Sequence, residues 1–338
     1  MIAMNDKHAP QISVVIIGRN EGPRLLRCLD SVRAMSRREE EMEIIYVDSA
    51  STDDSVKTAL ERGARVIELR ADRTTAAMGR NAGWRAARGE FVLFLDGDTI
   101  LAPYFVANSL PAMSDPRIAI VWGHRREIDP GGSIFNRVLD LDWVFPPGES
   151  EYCGGDALIR RSVLEEVGGF DETLIAGEEP EMCRRIRERG YRILHTDEPM
   201  TGHDLAMTKF SQYWRRAVRA GYAFAQIAHR SRYDEIPLWT NEVRGNLQRG
   251  GVLLVLTLAG AVASVFAASP WPLALYVLII ALLSIRTAIR TVWKADDFAT
   301  RLMYGAHSHF QQVPILFGQL LFWRDRWIGR RRGLIEYK

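Results

Sequence analysis

Asp96-Gly97-Asp98 places two carboxylates one residue apart at the end of the apolar run Phe91-Val92-Leu93-Phe94-Leu95. Oxygen ligands attract hard cations, and Mg²⁺ is commonly held by one or two carboxylates together with substrate phosphates. A pair at the point where a buried strand meets solvent suits a divalent cation carrying a diphosphate. The same letters also make a plain turn, so the pair gains weight only from its surroundings. Arg19, Asn20 and Glu21 follow the apolar run 12–17, and Asp48 closes the run Ile44-Ile45-Tyr46-Val47. Polar residues therefore end several apolar runs in turn.

Those runs read as strands, and the segments between them read as helices. Leu25, Leu26, Leu29 and Val32 mark one face of a helix over 23–34. Ser51-Thr52-Asp53-Asp54 supplies a cap for the next helix, and 66–69 is a third strand. Residues 75–88, with Gly79 and Gly83, form a helix before the strand 91–95. Strands alternating with helices predict an α/β domain built on a mostly parallel, two-sided sheet. Ligands of such sheets bind at the carboxyl ends of the strands, where Arg19, Asn20, Glu21, Asp48, Asp96 and Asp98 all fall. No Gly-x-Gly-x-x-Gly follows the first strand, which sets a dinucleotide-binding fold aside. Further on, 118–122 and 191–194 read as strands, and 134–141, 163–167 and 178–189 as helices. Cys153-Gly154-Gly155-Asp156 reads as a glycine-led turn into a strand.

The rear third has a different character. Residues 252–269 are eighteen uncharged, mostly apolar residues, about 27 Å as a helix at roughly 1.5 Å per residue. That length just reaches across a hydrocarbon core of about 30 Å. Pro270-Trp271-Pro272 breaks the run, and 273–285 follows, extendable to Trp293 if Arg286 and Arg290 snorkel. Arg244 and Arg249 before it, and Arg286, Arg290 and Lys294 after it, predict that both ends face the cytoplasm. The second run is short, so a re-entrant hairpin is a variant, and a buried helical pair of a soluble domain is the alternative. Segments 209–228 and 298–323 are aromatic and basic, as expected of helices lying beside an anionic leaflet. His307 and His309 fit that interface better than a metal site.

The 338-residue chain has room for one large or two modest domains. Its formal charge of +2 gives no reason to expect nucleic acid as a partner, although Arg324, Arg326 and Arg330-Arg331-Arg332 make a basic tail. Cys28, Cys153 and Cys183 lie far apart without metal-ligand spacing and fit a reducing compartment. The first 11 residues lack an apolar core, so no signal peptide is expected and the catalytic part should stay in the cytoplasm.

In order, Val14 to Glu21, Val47 to Asp53, Gly79-Arg80-Asn81-Ala82-Gly83, Asp96-Gly97-Asp98, Gly154-Gly155-Asp156 and Gly177-Glu178-Glu179-Pro180-Glu181 resemble an inverting family 2 glycosyltransferase of GT-A fold. The resemblance covers 12–225. It is followed by an expected linker (226–251), the transmembrane or re-entrant hairpin (252–293) and an interfacial basic tail (294–338). The hairpin is similar to that of members building lipid-linked or exported glycans. The resemblance implies a UDP- or GDP-linked sugar donor lying against Arg19, Asn20, Glu21, Asp48, Arg80, Asn81 and Asp96. It also implies Mg²⁺ or Mn²⁺ on Asp98, with Asp96 nearer the ribose or behind the ligands, and His203 able to reach the metal or diphosphate. Glu178-Glu179 takes the place of the family's acidic pair, usually Glu-Asp, and the second member points to Glu179 as base; Pro180 leaves either Glu able to face inward. Gly154, Gly155, Asp156, Gln212, Trp214, Arg215 and Arg216 are expected near acceptor and diphosphate. Trp214 precedes the arginines, unlike the Gln-x-x-Arg-Trp order of processive synthases, so Arg215 and Arg216 are equally readable as headgroup ligands.

The implied activity is metal-dependent transfer of one sugar to a lipid-linked or membrane-proximal acceptor at the bacterial inner membrane. Synthesis of a polyprenyl-phosphate sugar is the nearest alternative, and a non-catalytic membrane scaffold or sugar-nucleotide-binding protein is the alternative of another class. One hairpin is too little to enclose a polysaccharide channel unless the chain oligomerises.

Overall fold

A computed structural model describes residues 10–35, 42–71 and 74–330. Arg331 and Arg332 of the expected basic tail, and most of the polar leader, lie outside the described residues. The elements run β1 (Ile12–Gly18), α1 (Pro23–Arg33), β2 (Met42–Asp48), α2 (Ser55–Glu61), β3 (Arg65–Glu68) and α3 (Ala76–Ala86). Next come β4 (Phe91–Asp96), β5 (Thr99–Leu101), α4 (Phe105–Ser109), β6 (Ile118–Glu127), α5 (Ile134–Asp140), β7 (Gly148–Ser150), β8 (Ala157–Arg160) and α6 (Arg161–Val167). The chain continues with α7 (Glu178–Glu188), β9 (Arg192–His203), α8 (Phe210–Arg230), α9 (Thr240–Phe266), α10 (Trp271–Arg290), α11 (Phe298–Phe310) and α12 (Gln312–Trp327).

Two compact units result. One holds Met1–Ile128, Pro146–Thr173 and Glu178–Asp204; the other holds Asp129–Phe145, Leu174–Gly177 and Leu205–Lys338. The first unit is a mixed α/β, Rossmann-like layer structure whose sheet has the order β3-β2-β1-β4-β8-β6-β9-β5, with β7 against β9. Strands β1 to β4 pair in parallel. Beyond β4 the sheet is mixed rather than mostly parallel: β6 and β9 still pair in parallel, but β8 runs antiparallel to both β4 and β6, and β5 and β7 antiparallel to β9. Six of the seven residues of β1 are buried, as befits a central strand covered on both faces. Helix α3 lies so close over β1 that a Cβ on Gly83 would come within 2.2 Å of Val15 Cγ1, and one on Gly79 within 3.2 Å of Ile17 Cγ2. Close packing is thus what these two glycines provide. The loop expected to cap α2 does so through Asp53, whose Oδ1 accepts from Ser55 N at 3.0 Å, while Asp54 makes no side-chain cap.

The second unit is helical. Its α8 and α12 cross where Gly221 meets the Ile315 carbonyl and Gly318 meets the Val218 carbonyl; an added Cβ would lie 2.0 and 2.1 Å away. Small residues that let backbones approach are a hallmark of helix packing in lipid. Residues 226–251, expected as a linker, are mostly helix, split between the end of α8 and the first turns of α9. Helix α12 is also more than an interfacial helix, because Ile315, Leu316, Gln319, Phe322 and Asp325 are buried. Helices α9 and α10 have 27 and 20 residues, and their most apolar windows are only 6% and 11% buried. At about 1.5 Å per residue α10 is roughly 30 Å long, because the helix runs on past the uncharged 273–285 stretch through Arg286 to Arg290. Exposed apolar helices of this length are compatible with membrane anchoring and do not match a buried pair in a soluble core.

Candidate active site

The nucleotide-side residues gather at the ends of β1 and β2. Asp48 is 2% exposed; it accepts from Tyr46 Oη at 3.1 Å and from Ser51 N at 2.8 Å. Asn20, at φ 55°, turns its Oδ1 onto Thr52 N at 2.7 Å, while its own N donates to Ser51 Oγ. Arg19 is exposed beside it, and Glu21 forms an ion pair with Arg24 at 2.9 Å. The loop after β1 is therefore tied to the loop after β2, both at the carboxyl ends of neighbouring strands.

The Asp-Gly-Asp turn is built from below and from the side. Gly97 N donates to Ile17 O at 2.8 Å, and a Cβ there would press on Glu21 Cγ at 2.9 Å. Asp96 N donates to Asp156 Oδ1 at 3.0 Å, and Thr201 Oγ1 donates to Asp156 Oδ2 at 2.8 Å. Burial, then the neighbouring Asp96 charge, pushes the Asp156 carboxyl up to about 7. Asp156 thus props the turn from the interior.

Strand register brings a third candidate ligand to the pair. β5 pairs with β9 so that Thr99 faces His203, which brings His203 Nε2 within 3.5 Å of Asp98 Oδ1. One ligand atom from each of Asp96, Asp98 and His203 lies within 4.8 Å of the others. Two carboxylates and an imidazole fit a divalent cation.

Arg80 ties this cluster to the acidic pair. Its side chain is 4% exposed and donates to Asp96 Oδ1 at 2.8 Å and to Glu178 Oε1 at 2.7 Å. Burial works against the guanidinium charge, but the Asp96 and Glu178 carboxylates outweigh it and raise its pKa. A Cβ on Gly155 would stand 2.8 Å from Arg80 Nη2 and 3.1 Å from Asp96 Oδ2, so the glycine leaves these groups uncovered. Gly154 sits at φ 75°, where glycine is favoured.

The two glutamates part company. Glu179 turns inward, where its Oε1 accepts from Cys153 N at 2.7 Å and lies 2.9 Å from Cys183 Sγ. Cys153 and Cys183, distant in sequence, stand 3.6 Å apart at sulfur. Asn81 departs from the nucleotide-side expectation. Fully buried, it accepts from Phe170 N and Trp84 Nε1 and donates to Phe170 O and Glu172. Those bonds use both ends of its amide, so it anchors the 169–172 loop.

Gln212, Trp214, Arg215 and Arg216 belong to the second unit. Gln212, the third residue of α8, folds its Oε1 back to accept from Thr208 N and from the N-cap residue Lys209 N. Trp214 packs with Phe210, Phe310 and Phe317. Arg216 acts electrostatically on Asp142. His307 is buried; its Nδ1 bonds Tyr213 Oη at 2.7 Å and its Nε2 lies 3.4 Å from Asp142 Oδ2, so it is a core residue and not an interfacial one. The same unit holds an apolar cavity of about 730 Å³, walled by Trp214, Leu253, Tyr276, Ile280, Leu302 and Phe310 among others.

Comparison with known proteins agrees with this geometry. Residues 13–168 match Glycosyl transferase family 2, and residues 91–293, more than half of the chain, match Glycosyl transferase family group 2. The pre-mycofactocin glycosyltransferase of Mycobacterium tuberculosis (strain H37Rv) is 28% identical over 67% of this chain and 49% of its own length. The probable glycosyltransferase YdaM of Bacillus subtilis (strain 168) is 25% identical over 64% of this chain and 55% of its own. The chain thus spans about half the length of these curated relatives. In fold it is similar to the mannosyltransferase PcManGT of Pyrobaculum calidifontis, solved with GDP-mannose and Mn²⁺, with a TM-score of 0.61 at 19% identity over 94% of this chain and 88% of that one. The chain belongs to glycosyltransferase family 2, with a GT-A-like nucleotide-sugar domain and two candidate membrane-spanning helices at its C-terminal side.

Proposed function

We propose that this protein transfers one sugar, with inversion, from a UDP- or GDP-linked donor to a hydroxyl of a lipid-linked acceptor at the cytoplasmic face of the bacterial inner membrane. The observation that carries this reading is the convergence of Asp96, Asp98 and His203 beside the Arg80–Glu178 pair in a family 2 chain. Asp98, Asp96 and His203 would hold Mn²⁺ or Mg²⁺, which neutralises the leaving diphosphate as the glycosidic bond breaks. Asp48, Asn20, Glu21 and Arg19 would line the base and ribose, and Asp156 would keep the Asp-Gly-Asp turn in place. Glu178 has its charge engaged by Arg80 and would orient that guanidinium. Glu179, fixed through Oε1 by the Cys153 amide and the Cys183 thiol, would take the acceptor proton on Oε2 as the hydroxyl oxygen attacks the anomeric carbon. The apolar cavity among α8 to α12 supports a lipid-borne acceptor, since a hydrocarbon chain could enter it without crossing water.

The test is transfer by detergent-solubilised protein with Mn²⁺ or Mg²⁺, a panel of nucleotide sugars and extracted bacterial lipids, with products read by mass spectrometry. A lipid gaining one sugar with the wild type and not with Asp98→Ala is expected. Glu179→Gln should lose about 10²–10⁴-fold in turnover, the usual worth of a general base. If Glu179→Gln keeps full activity while Glu178→Gln loses it, the base assignment moves. If neither matters, the acceptor is a lipid phosphate, already ionised. Donor binding without turnover on any lipid would favour the sugar-nucleotide-binding scaffold.

A further inference from the structure

Away from the Asp96 cluster, the first unit holds a second convergence of ligating side chains. Glu179 and Cys183 stand one turn apart on the same face of α7. Cys153 arrives from the loop between β7 and β8 and is held there by the hydrogen bond its backbone N–H donates to Glu179 Oε1. One ligand atom from each of the three lies within 4.8 Å of the others, and all three residues are buried. The sulfur–sulfur distance is 3.6 Å. Two thiolates on a tetrahedral cation with metal–sulfur bonds of about 2.3 Å are separated by about 3.8 Å. The pair is therefore already spaced for a shared cation, with Glu179 Oε1 within reach as a third ligand.

We propose that Cys153, Cys183 and Glu179 form a soft-cation site, suited to Zn²⁺ or Cd²⁺ and separate from the hard-cation site at Asp96, Asp98 and His203. Soft thiolates select such ions against Mg²⁺ and Mn²⁺. In the metal-free protein both thiols are protonated: burial, chiefly, raises Cys153 to about 11 and Cys183 well above its ordinary value. A bound cation displaces one proton from each. Two thiolates and one carboxylate around a divalent ion leave a single negative charge, and Arg125, whose field already favours the Cys153 thiolate, offsets it. Resting on the reading of Glu179 as base, a cation on Oε1 would draw charge from the carboxylate, weaken Oε2 as a proton acceptor and shut transfer off.

Binding and activity are measured apart. Reduced full-length protein in detergent, with excess Mg²⁺, is titrated with Cd²⁺, and the thiolate-to-metal charge-transfer band in the ultraviolet is followed. The band should saturate at one ion per chain in wild type, Cys28→Ser and Asp98→Ala. Cys153→Ser and Cys183→Ser should each weaken binding by more than the roughly 10–100-fold that outer-shell changes cost, with circular dichroism confirming that each variant is folded. The proposal is overturned by the absence of a band, by a band that survives both cysteine substitutions, or by a pair that proves to be a disulfide in the purified protein. A Cd²⁺ band with no inhibition of transfer would keep the site and remove Glu179 as base.

Discussion

Arg80 is the residue on which two acidic groups depend. Removing it leaves Asp96 and Glu178 facing each other without a cation. Losing one partner of a buried pair commonly costs about 3–5 kcal/mol, and Asp96 is 32% exposed on its side chain, so Arg80→Met should cost about 3 kcal/mol, the low end of that range. Denaturant melts would measure it. Arg80→Lys keeps the charge without the guanidinium fork and should hold one carboxylate at a time, recovering part of that stability. His195 offers a separate test. It is 2% exposed, stacks on Trp122 at 3.9 Å and bonds Pro146 O through Nδ1 at 2.8 Å. Burial is the main cause of its lowered pKa. Between that lowered value and the ordinary 6.5, the unfolded chain binds more protons than the folded one, so stability falls as pH drops through this window. His195→Phe keeps the stack and cannot titrate. Its melting temperature should be lower near pH 7 for want of the Pro146 bond, and should decline less than wild type between about pH 7 and pH 5.

At the level of elements, close backbone approach decides the packing. The α3–β1 contact exists because Gly83 has no Cβ to meet Val15. Gly83→Ala should destabilise the protein by about 1–3 kcal/mol, as overpacking in a filled core does, read as a lower urea midpoint at unchanged slope. The helix face was visible in the sequence, because Gly79, Gly83 and the residues between them have helical spacing. Its partner strand was visible as an apolar run. The extent of β9 was not. Arg192–His203 contains Asp197, Glu198 and Pro199, residues poorly suited to strands, and its pairing with β6 shifts register near Pro199. Tertiary pairing overrode local preference there, and the far end of the same strand, paired with β5, carries His203 to Asp98.

For the whole molecule, the consequential prediction concerns topology. If α9 and α10 cross the bilayer as a hairpin, Ser269 in the turn between them lies on the far side from Glu235 and Asp297. The native cysteines are all buried, so single introduced thiols can be read cleanly. A membrane-impermeant maleimide applied to intact spheroplasts should label Ser269→Cys and spare Glu235→Cys and Asp297→Cys. The reverse pattern would invert the orientation, and failure to label all three from outside would indicate a re-entrant hairpin.

The sequence by itself determined the family, the strand-end placement of Asp48, Asp96 and Asp98, and the two apolar helices, because each is written in a local run of residues. Periodicity and hydropathy are local quantities, and an ordered series of short motifs needs no contact map. The structure alone decided which distant residues meet. His203 joins Asp98 through antiparallel register, Arg80 bridges Asp96 to Glu178, and Glu179 turns to Cys153 and Cys183. It also committed Asn81 to the 169–172 loop, since a buried amide must satisfy its hydrogen bonds wherever the fold puts it. Those outcomes depend on how sheet edges and helix ends pack, and packing between residues a hundred positions apart leaves no pattern along a single chain.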